Sequence, residues 1–212
     1  MIDLLETPTP AGVNDAVALL ADAFADDPFY QWFVPASRWR RQTLRGALAA
    51  TAQDTRLCVV QHQARVVGAM AWHDPQLPAQ NRVTTFSHYA WLSLHAAIHP
   101  LRVATAARIY QLMLERRTAD ASGPMLVLDL IAVEAAQRGR GTGAALLRSL
   151  LHRADEHQWA VHVETTRPSN VELYTHFEFR PVGEPIVSGG APPTWCLRRA
   201  PRSSTPTTGA RS

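Results

Sequence analysis

The chain has 212 residues, is 46% hydrophobic and carries a formal net charge of +3, so it can bury one sizeable core. All 21 basic residues are arginine, which excludes lysine-dependent phosphate loops and Schiff-base enzymes. The arginines are scattered, no apolar run reaches 18 residues and the first residues do not resemble a signal peptide. We therefore predict a soluble, cytoplasmic protein that binds neither nucleic acid nor membrane.

The first half of the chain alternates helical and strand-like patterns. Apolar residues at helical spacing predict a helix over 13–24, and a second periodic stretch covers about 38–52. The β-rich runs at 56–62 and 65–73 predict an antiparallel hairpin. Residues 74–123 contain several prolines between two helical stretches, which indicates a helical insertion.

The second half predicts a parallel βαβ unit. An apolar strand, MLVLDLIAV at 125–133, precedes the glycine-rich stretch QRGRGTG, an amphipathic helix and the strand AVHVETT at 160–166. A short helix over 169–177 and two closing strands follow, and residues 201–212 form a polar tail that we expect to be disordered. These patterns predict an α/β fold with a single domain over residues 1–200.

The glycine-rich stretch is suited to an anion, because glycines leave backbone N–H groups uncovered and the helix that follows points its positive dipole end at the same place. A dinucleotide loop fits the spacing of Gly139, Gly141 and Ala144, with Glu164 where a ribose-binding acid would stand. However, five residues separate the strand from Gly139, and too few βα units follow for a doubly wound sheet. A diphosphate whose organic arm runs back along the strand fits better, and coenzyme A has that shape.

Two motifs carry a family resemblance. The R-x-x-G-x-G pattern of Arg138, Gly141 and Gly143, and the later SNVELYTHFEF at 169–179, resemble the acetyl-CoA loop and the asparagine-tyrosine helix of the GNAT superfamily of N-acyltransferases. Within it, ALLADAFADDP, VETTRPSNVELY and TWCLRR resemble the puromycin N-acetyltransferase type. The resemblance implies a GNAT-type domain with a mixed, splayed sheet of about six to seven strands, and the helical insertion lies between the central hairpin and the CoA-binding strand.

The resemblance also implies where acetyl-CoA binds. Backbone groups of Ile131 and Val133, which flank Ala132, would hydrogen-bond the pantetheine arm, and the N–H of Val133 could face the thioester carbonyl. The pyrophosphate would lie on the N–H groups of Arg138, Gly139, Arg140, Gly141, Thr142, Gly143 and Ala144. Arg138 and Arg140 could equally be solvated side chains.

The helix over 169–177 supplies two further candidates. Asn170 would contact the cofactor, or it could simply begin its helix. Tyr174 would protonate the departing CoA thiolate, although it could be a core aromatic residue. Glu178 stands where the family has a glycine, so we expect the turn after Tyr174 to differ.

A base is needed if the incoming amine is protonated. Asp129 is the single charge in MLVLDLIAV, and some members of the superfamily have a base at this position. Its alternative is a structural partner for an arginine of the insertion. Glu164 is the second candidate, and His162 faces the same side of its strand, where core packing is its expected role.

We therefore predict transfer of an acetyl group from acetyl-CoA to the primary amine of a small molecule, such as an antibiotic-type amine, by direct attack. The alternatives are a protein or peptide amine as acceptor, or a CoA-binding sensor without catalysis. No metal site is predicted, and Cys58 and Cys196 read as buried structural thiols. The protein is expected to be a monomer or a homodimer.

Overall fold

The computed structural model describes residues 3–5, 8–76, 99–119 and 123–202. Its seven strands are β1 (Asp3–Leu5), β2 (Arg56–His62), β3 (Arg65–His73), β4 (Met125–Val133), β5 (Ala160–Thr165), β6 (Arg180–Pro181) and β7 (Trp195–Arg199). The α-helices are α1 (Pro10–Phe24), α2 (Pro28–Phe33), α3 (Ser37–Asp54), α4 (Pro100–Thr118), α5 (Thr142–Glu156) and α6 (Pro168–His176).

All seven strands belong to one mixed sheet with the order β1-β2-β3-β4-β5-β7-β6. The β2–β3 hairpin is antiparallel and β4 pairs with β5 in parallel, as predicted. Strands from both ends of the described chain, β1 and β7, therefore share one sheet. This confirms the α/β class and the strand number.

Helices cover both faces of the sheet. On one face, α5 and α6 enclose a core that includes Leu128, Leu147 and Tyr174. On the other, α1 and α3 cover β2, β3 and β4, while α2 and α4 lie over β7. The prediction of buried thiols is confirmed, because Cys58 and Cys196 are both free and buried.

The short helix α2 is absent from the predicted elements, although its start signal is present. Asp27 caps it by accepting a hydrogen bond from the N–H of Phe29 at 2.9 Å, and Pro28 occupies the first helical turn. The predicted closing strand after Phe179 is shorter than expected, because β6 contains two residues and a bridge between Ile186 and Thr194 follows.

The insertion between β3 and β4 is helical in its described part, which is α4. Its other predicted helix falls within 77–98, outside the described residues. The predicted tail lies outside them from 203 onwards, and its residue Arg202 donates its backbone N–H to Asp155 at 2.9 Å. Among the helices of the described ranges, none combines the length and apolar character that crossing a bilayer requires.

Candidate active site

The sheet opens at the carboxyl ends of β4 and β5. The two strands pair from Met125 opposite Ala160 to Leu128 opposite Val163, and their pairing stops there. β4 continues to Val133 and β5 to Thr165, so both strands extend beyond their last pair. The resulting gap is the splay that the family resemblance predicts.

The β4 edge of this gap presents backbone hydrogen-bonding groups. Glu134 donates its N–H to the carbonyl of Val67 at 2.9 Å, and Val133 lies opposite Gly68. Bonded and non-bonded pairs alternate along an antiparallel ladder. The N–H and C=O groups of Ile131 and Val133 therefore point away from β3 into the gap. Side chains contribute little here, except that Arg138 Nε donates to the Val133 carbonyl at 3.4 Å.

The glycine-rich loop ends at the N-terminus of α5. Gly139 and Gly141 have φ angles of +73° and +84°, and no atom lies within 4 Å of the point where a Cβ would stand on either one. The first N–H groups of an α-helix have no intrahelical partner. In α5 the N-cap is Gly141, and no side chain accepts a hydrogen bond from these groups. Arg138 and Arg140 are exposed beside them. Such a concave, open set of N–H groups suits an anion.

Helix α6 begins at Pro168, and Asn170 lies in its first turn. The Asn170 amide donates to Thr165 Oγ1 at the end of β5, at 3.0 Å, and thereby ties the helix to the strand that borders the gap. The contact leaves the amide oxygen of Asn170 as a further acceptor. The N-cap of α6 is Arg167 and no side chain caps the helix, so Asn170 does not begin it, and its contact with the cofactor stays a prediction.

Tyr174 is buried in the core and its ring lies 5.4 Å from that of Phe179. Burial raises the pKa of Tyr174, which keeps the phenol protonated at neutral pH. Glu178 has a φ of +69°, so a residue other than glycine adopts the left-handed conformation after this helix. The N–H of Phe179 then reaches the carbonyl of Tyr174 at 3.1 Å.

Asp129 is the extra residue of a β-bulge. Trp72 pairs with Leu128 and the preceding residue of β3, Ala71, pairs with Leu130, so Asp129 has no cross-strand partner. Bulges of this kind redirect a side chain and are frequent beside active sites. The Asp129 Oδ2 atom lies 2.6 Å from Nδ1 of His73.

Glu164 lies across the gap in an ion pair. Arg117, on α4, donates from Nε to Oε1 at 2.6 Å and from Nη2 to Oε2 at 2.9 Å, while His162 Nε2 lies 2.9 Å from Oε1. Burial opposes ionisation of Glu164, but the hydrogen bonds from His162 and Arg117 outweigh it and lower the pKa of Glu164. The arginine of the insertion thus pairs with Glu164, whereas Asp129 contacts His73.

The start of helix α2 contacts the chain just beyond the end of β5, beside the gap. Asp27 accepts a hydrogen bond from Thr166, just beyond β5, at 3.1 Å, and burial raises the pKa of Asp27. Burial and the charges of Asp27 and Asp129 raise the pKa of Tyr30 to about 12. Sequence patterns indicated neither this contact between α2 and the end of β5 nor the contact between His73 and Asp129.

One group of possible metal ligands occurs within the described ranges. His162, Glu164 and Cys196 place ligand atoms within 4.8 Å of one another. Arg117 already donates to both carboxylate oxygens, and burial raises the pKa of the Cys196 thiol to about 11, so this site favours neither a cation nor a thiolate. The absence of a metal stays a prediction.

The residues present fit a coenzyme A thioester. The gap supplies the backbone groups of Ile131 and Val133, and the open loop supplies N–H groups at a helix N-terminus. In addition, the hydroxyl of Thr142, the first residue of α5, is buried and has no hydrogen-bond partner among the described residues. The three features lie in sequence order, as an extended arm and its pyrophosphate would require.

Residues 105–194 match the family model described as "Acetyltransferase (GNAT) domain". The solved structure of histone acetyltransferase HPA2 and related acetyltransferase from Corynebacterium glutamicum is similar, with a TM-score of 0.64 and 22% identity over 96% of this chain and 98% of that one. The polyamine N-acetyltransferase of Drosophila melanogaster gives a TM-score of 0.53 and 15% identity, with 94% and 100% of the two chains covered.

The ribosomal-protein-S18-alanine N-acetyltransferase of Escherichia coli has a TM-score of 0.53 and 12% identity, with 94% of each chain covered. A comparison with curated protein sequences finds no significant match. The structural similarities therefore establish the fold over nearly the whole chain, and the family match covers the βαβ unit with its glycine-rich loop. Residues 105–194 therefore match a GNAT acetyltransferase domain, and this match supports an acyltransferase.

Proposed function

We propose that this protein transfers the acetyl group of acetyl-CoA to the primary amine of a small molecule by direct attack. The observation that carries the proposal is the divergence of β4 from β5 after Leu128, because it leaves Ile131 and Val133 unpaired on the edge that leads to the glycine-rich loop. The resemblance to GNAT acetyltransferases implies that the thioester arm is bound along this edge. The GNAT match supports acetyl-CoA as the donor.

Asp129 and Tyr174 are the proposed catalytic residues. The lone pair of the acceptor nitrogen forms the new C–N bond as the C–S bond breaks. Asp129 takes the proton that the acceptor ammonium must lose before it attacks, and Tyr174 supplies the proton that the departing thiolate gains. The second proton, which the nitrogen loses once it is acylated, passes to solvent, and solvent reprotonates Tyr174. Burial keeps the phenol protonated at neutral pH, so the proton is present when the thiolate departs, although the raised pKa makes Tyr174 a weaker acid than an exposed tyrosine.

Glu164 is the weaker candidate for the base. Both of its carboxylate oxygens accept hydrogen bonds from Arg117, and its pKa is lowered, which makes it a poorer proton acceptor than an unclamped carboxylate. We assign it the task of holding Arg117 and His162 at the β5 side of the gap. Asn170 and the loop from Arg138 to Ala144 are proposed to bind the cofactor.

A small amine is favoured as acceptor because the two candidate carboxylates are largely buried. Asp129 and Glu164 have side-chain exposures of 17% and 9%. Among the similar structures, some are named for polyamine or agmatine acetylation and others for a histone or ribosomal protein. The puromycin type, an antibiotic-type acceptor, the single-domain organisation over 1–200 and a monomeric or dimeric state stay predictions.

A thiol-release assay with acetyl-CoA tests the proposal. The acceptors are agmatine, a linear polyamine, puromycin and a peptide beginning with alanine. We expect kcat/KM for one of the small amines to exceed that for the peptide by at least about tenfold, because a small amine reaches a largely buried carboxylate more readily than a peptide does. A faster reaction with the peptide would assign the acceptor to proteins. Binding of CoA without release by any amine would indicate a sensor.

Three variants assign the roles. Asp129→Asn is expected to lower kcat by about 100-fold or more, and Glu164→Gln is expected to have the smaller effect at neutral pH. Glu156→Gln, on the exposed side of α5, is the matched control for loss of a carboxylate. If Glu164→Gln abolishes activity in a folded protein while Asp129→Asn does not, the two carboxylates exchange roles.

A further inference from the structure

A histidine on β3 contacts the proposed base. His73 is the last residue of β3 and lies opposite Val127, two residues before Asp129. Its Nδ1 atom is 2.6 Å from Asp129 Oδ2, which is a charge-assisted hydrogen bond. The bulge at Asp129 makes this contact possible, since regular pairing would not redirect that side chain.

The two side chains differ in exposure. Asp129 is 17% exposed and His73 is 53% exposed, so the pair runs from the interior of the gap towards solvent. A carboxylate that accepts the N–H of an imidazole keeps one geometry, and imidazole is the side chain whose charge ordinarily changes between about pH 5 and 8. This is the arrangement that a base needs when it must accept a proton from a cation.

We propose that His73 is a positioning residue for acetyl transfer. It donates Nδ1–H to Asp129, which orients the carboxylate for the acceptor ammonium, and protonation of its imidazole weakens Asp129 as a base. The inference rests on the proposed function, because Asp129 must be the base. Under this proposal His73 never contacts the acceptor, and its protonation sets the acid limb of the pH–rate profile.

Other ionisable groups also face Asp129 and must be separated from His73. Tyr30 on α2 lies near enough for the Asp129 charge to act on its pKa, and so does Arg117 on α4. Asp27 lies beside Tyr30, and Glu164 lies on the far side of Arg117. These four groups remain in place when His73 alone is replaced, so they do not account for a change in the profile.

The experiment compares two substitutions of His73 that are expected to change the pH–rate profile in different ways. In His73→Asn the side-chain amide can still donate at the position of Nδ1, but it does not titrate. In His73→Ala the donor is lost. We measure kcat/KM from pH 5 to 9 with acetyl-CoA and the small amine of the assay panel that has the highest kcat/KM. Because the amine is the same throughout, its own ionisation cancels in the comparison.

His73→Asn is expected to keep kcat/KM within about threefold at pH 8 and to move the acid limb to lower pH. His73→Ala is expected to lower kcat/KM by about 10-fold to 100-fold at every pH, since an unoriented base loses part of the 10²–10⁴-fold contribution of general-base catalysis. His62→Asn, at the end of β2, is the control and should leave the profile unchanged. An unchanged profile in both His73 variants overturns the inference.

A second measurement needs no acceptor. Imidazole ¹⁵N NMR of the wild type should show His73 protonated at Nδ1, and Asp129→Asn should lower the pKa of His73 relative to wild type. An unaffected His73 resonance in Asp129→Asn overturns the inference. If Asp129→Asn retains full transferase activity, the base assignment fails, and if no amine is acetylated the proposed function fails with it.

Discussion

Arg117 and Glu164 form a bidentate ion pair between the inserted helix α4 and strand β5. The side chains are 18% and 9% exposed. Removing one partner of such a pair leaves an uncompensated buried charge. Arg117→Gln is therefore expected to lower the free energy of unfolding by about 3 kcal/mol, measured by urea denaturation. Two controls test this explanation: one removes an arginine from an exposed ion pair, and the other removes both charges of the buried pair.

Arg41→Gln removes an exposed pair, in which Nε lies 3.6 Å from Asp22, and should cost about 1 kcal/mol or less. The double variant Arg117→Gln/Glu164→Gln should recover part of the loss, because no charge is then left unpaired. Equal losses in Arg117→Gln and Arg41→Gln would contradict this account of the pair.

The lowered pKa of Glu164 predicts acid sensitivity. A carboxyl group whose folded pKa lies below its unfolded value of about 4.5 stabilises the fold fully above that pH. This contribution disappears as the pH falls through the folded pKa. Unfolding free energies measured between pH 3 and 7 should decline below about pH 4.5, and Glu164→Gln should flatten that decline. A parallel decline in wild type and variant would show that other carboxyl groups dominate.

Gly141 is expected to be less tolerant of alanine than Gly46. Gly141 has a φ of +84°, so alanine there costs about 1–2 kcal/mol. Gly46, in the exposed middle of α3, has no atom within 4 Å of a Cβ position, so alanine should stabilise by about 0.5–1 kcal/mol. Gly141→Ala should also reduce the rise in Tm that acetyl-CoA causes. Equal effects on both properties would refute the role of the left-handed conformation.

The turn of the β2–β3 hairpin is expected to gain stability from a two-residue replacement. Gln63 and Ala64 both have positive φ, of 52° and 62°, which is the geometry of a type I′ turn and favours Asn-Gly. The double change Gln63→Asn/Ala64→Gly should raise the free energy of unfolding by about 1–2 kcal/mol. Both turn residues are exposed, and the replacement keeps the backbone conformation of the turn, so kcat should not change.

Tyr174→Phe should separate chemistry from folding. No described residue is hydrogen-bonded to the Tyr174 hydroxyl, so its removal sacrifices no internal hydrogen bond. We expect kcat to fall by about 10-fold to 100-fold while the Tm and the affinity for acetyl-CoA remain near those of wild type. Tyr110→Phe, exposed on α4, is the control. A large loss of Tm with unchanged kcat would make Tyr174 a core residue only.

The parts of the site that sequence patterns predicted are local in the chain. The loop from Arg138 to Ala144 directly follows its strand in the chain, and the backbone groups of both are predicted to bind acetyl-CoA. The binding site of the acetyl donor could therefore be predicted from the sequence. The partner of Asp129 could not, because His73 comes 56 residues earlier and meets it only through a register shift between β3 and β4. Likewise, Arg117 lies 47 residues before Glu164, and no periodicity encodes that pair.

The bulge at Asp129 places a carboxylate between two residues of the core. Leu128 packs on the α5 side of the sheet and Leu130 on the α1 side, with Asp129 between them. Deleting this one residue would bring Leu128 and Leu130 into ordinary alternation opposite Trp72 and Ala71. The charge therefore occupies an added position and replaces no apolar side chain, so a single-codon insertion could supply it without costing the core a residue.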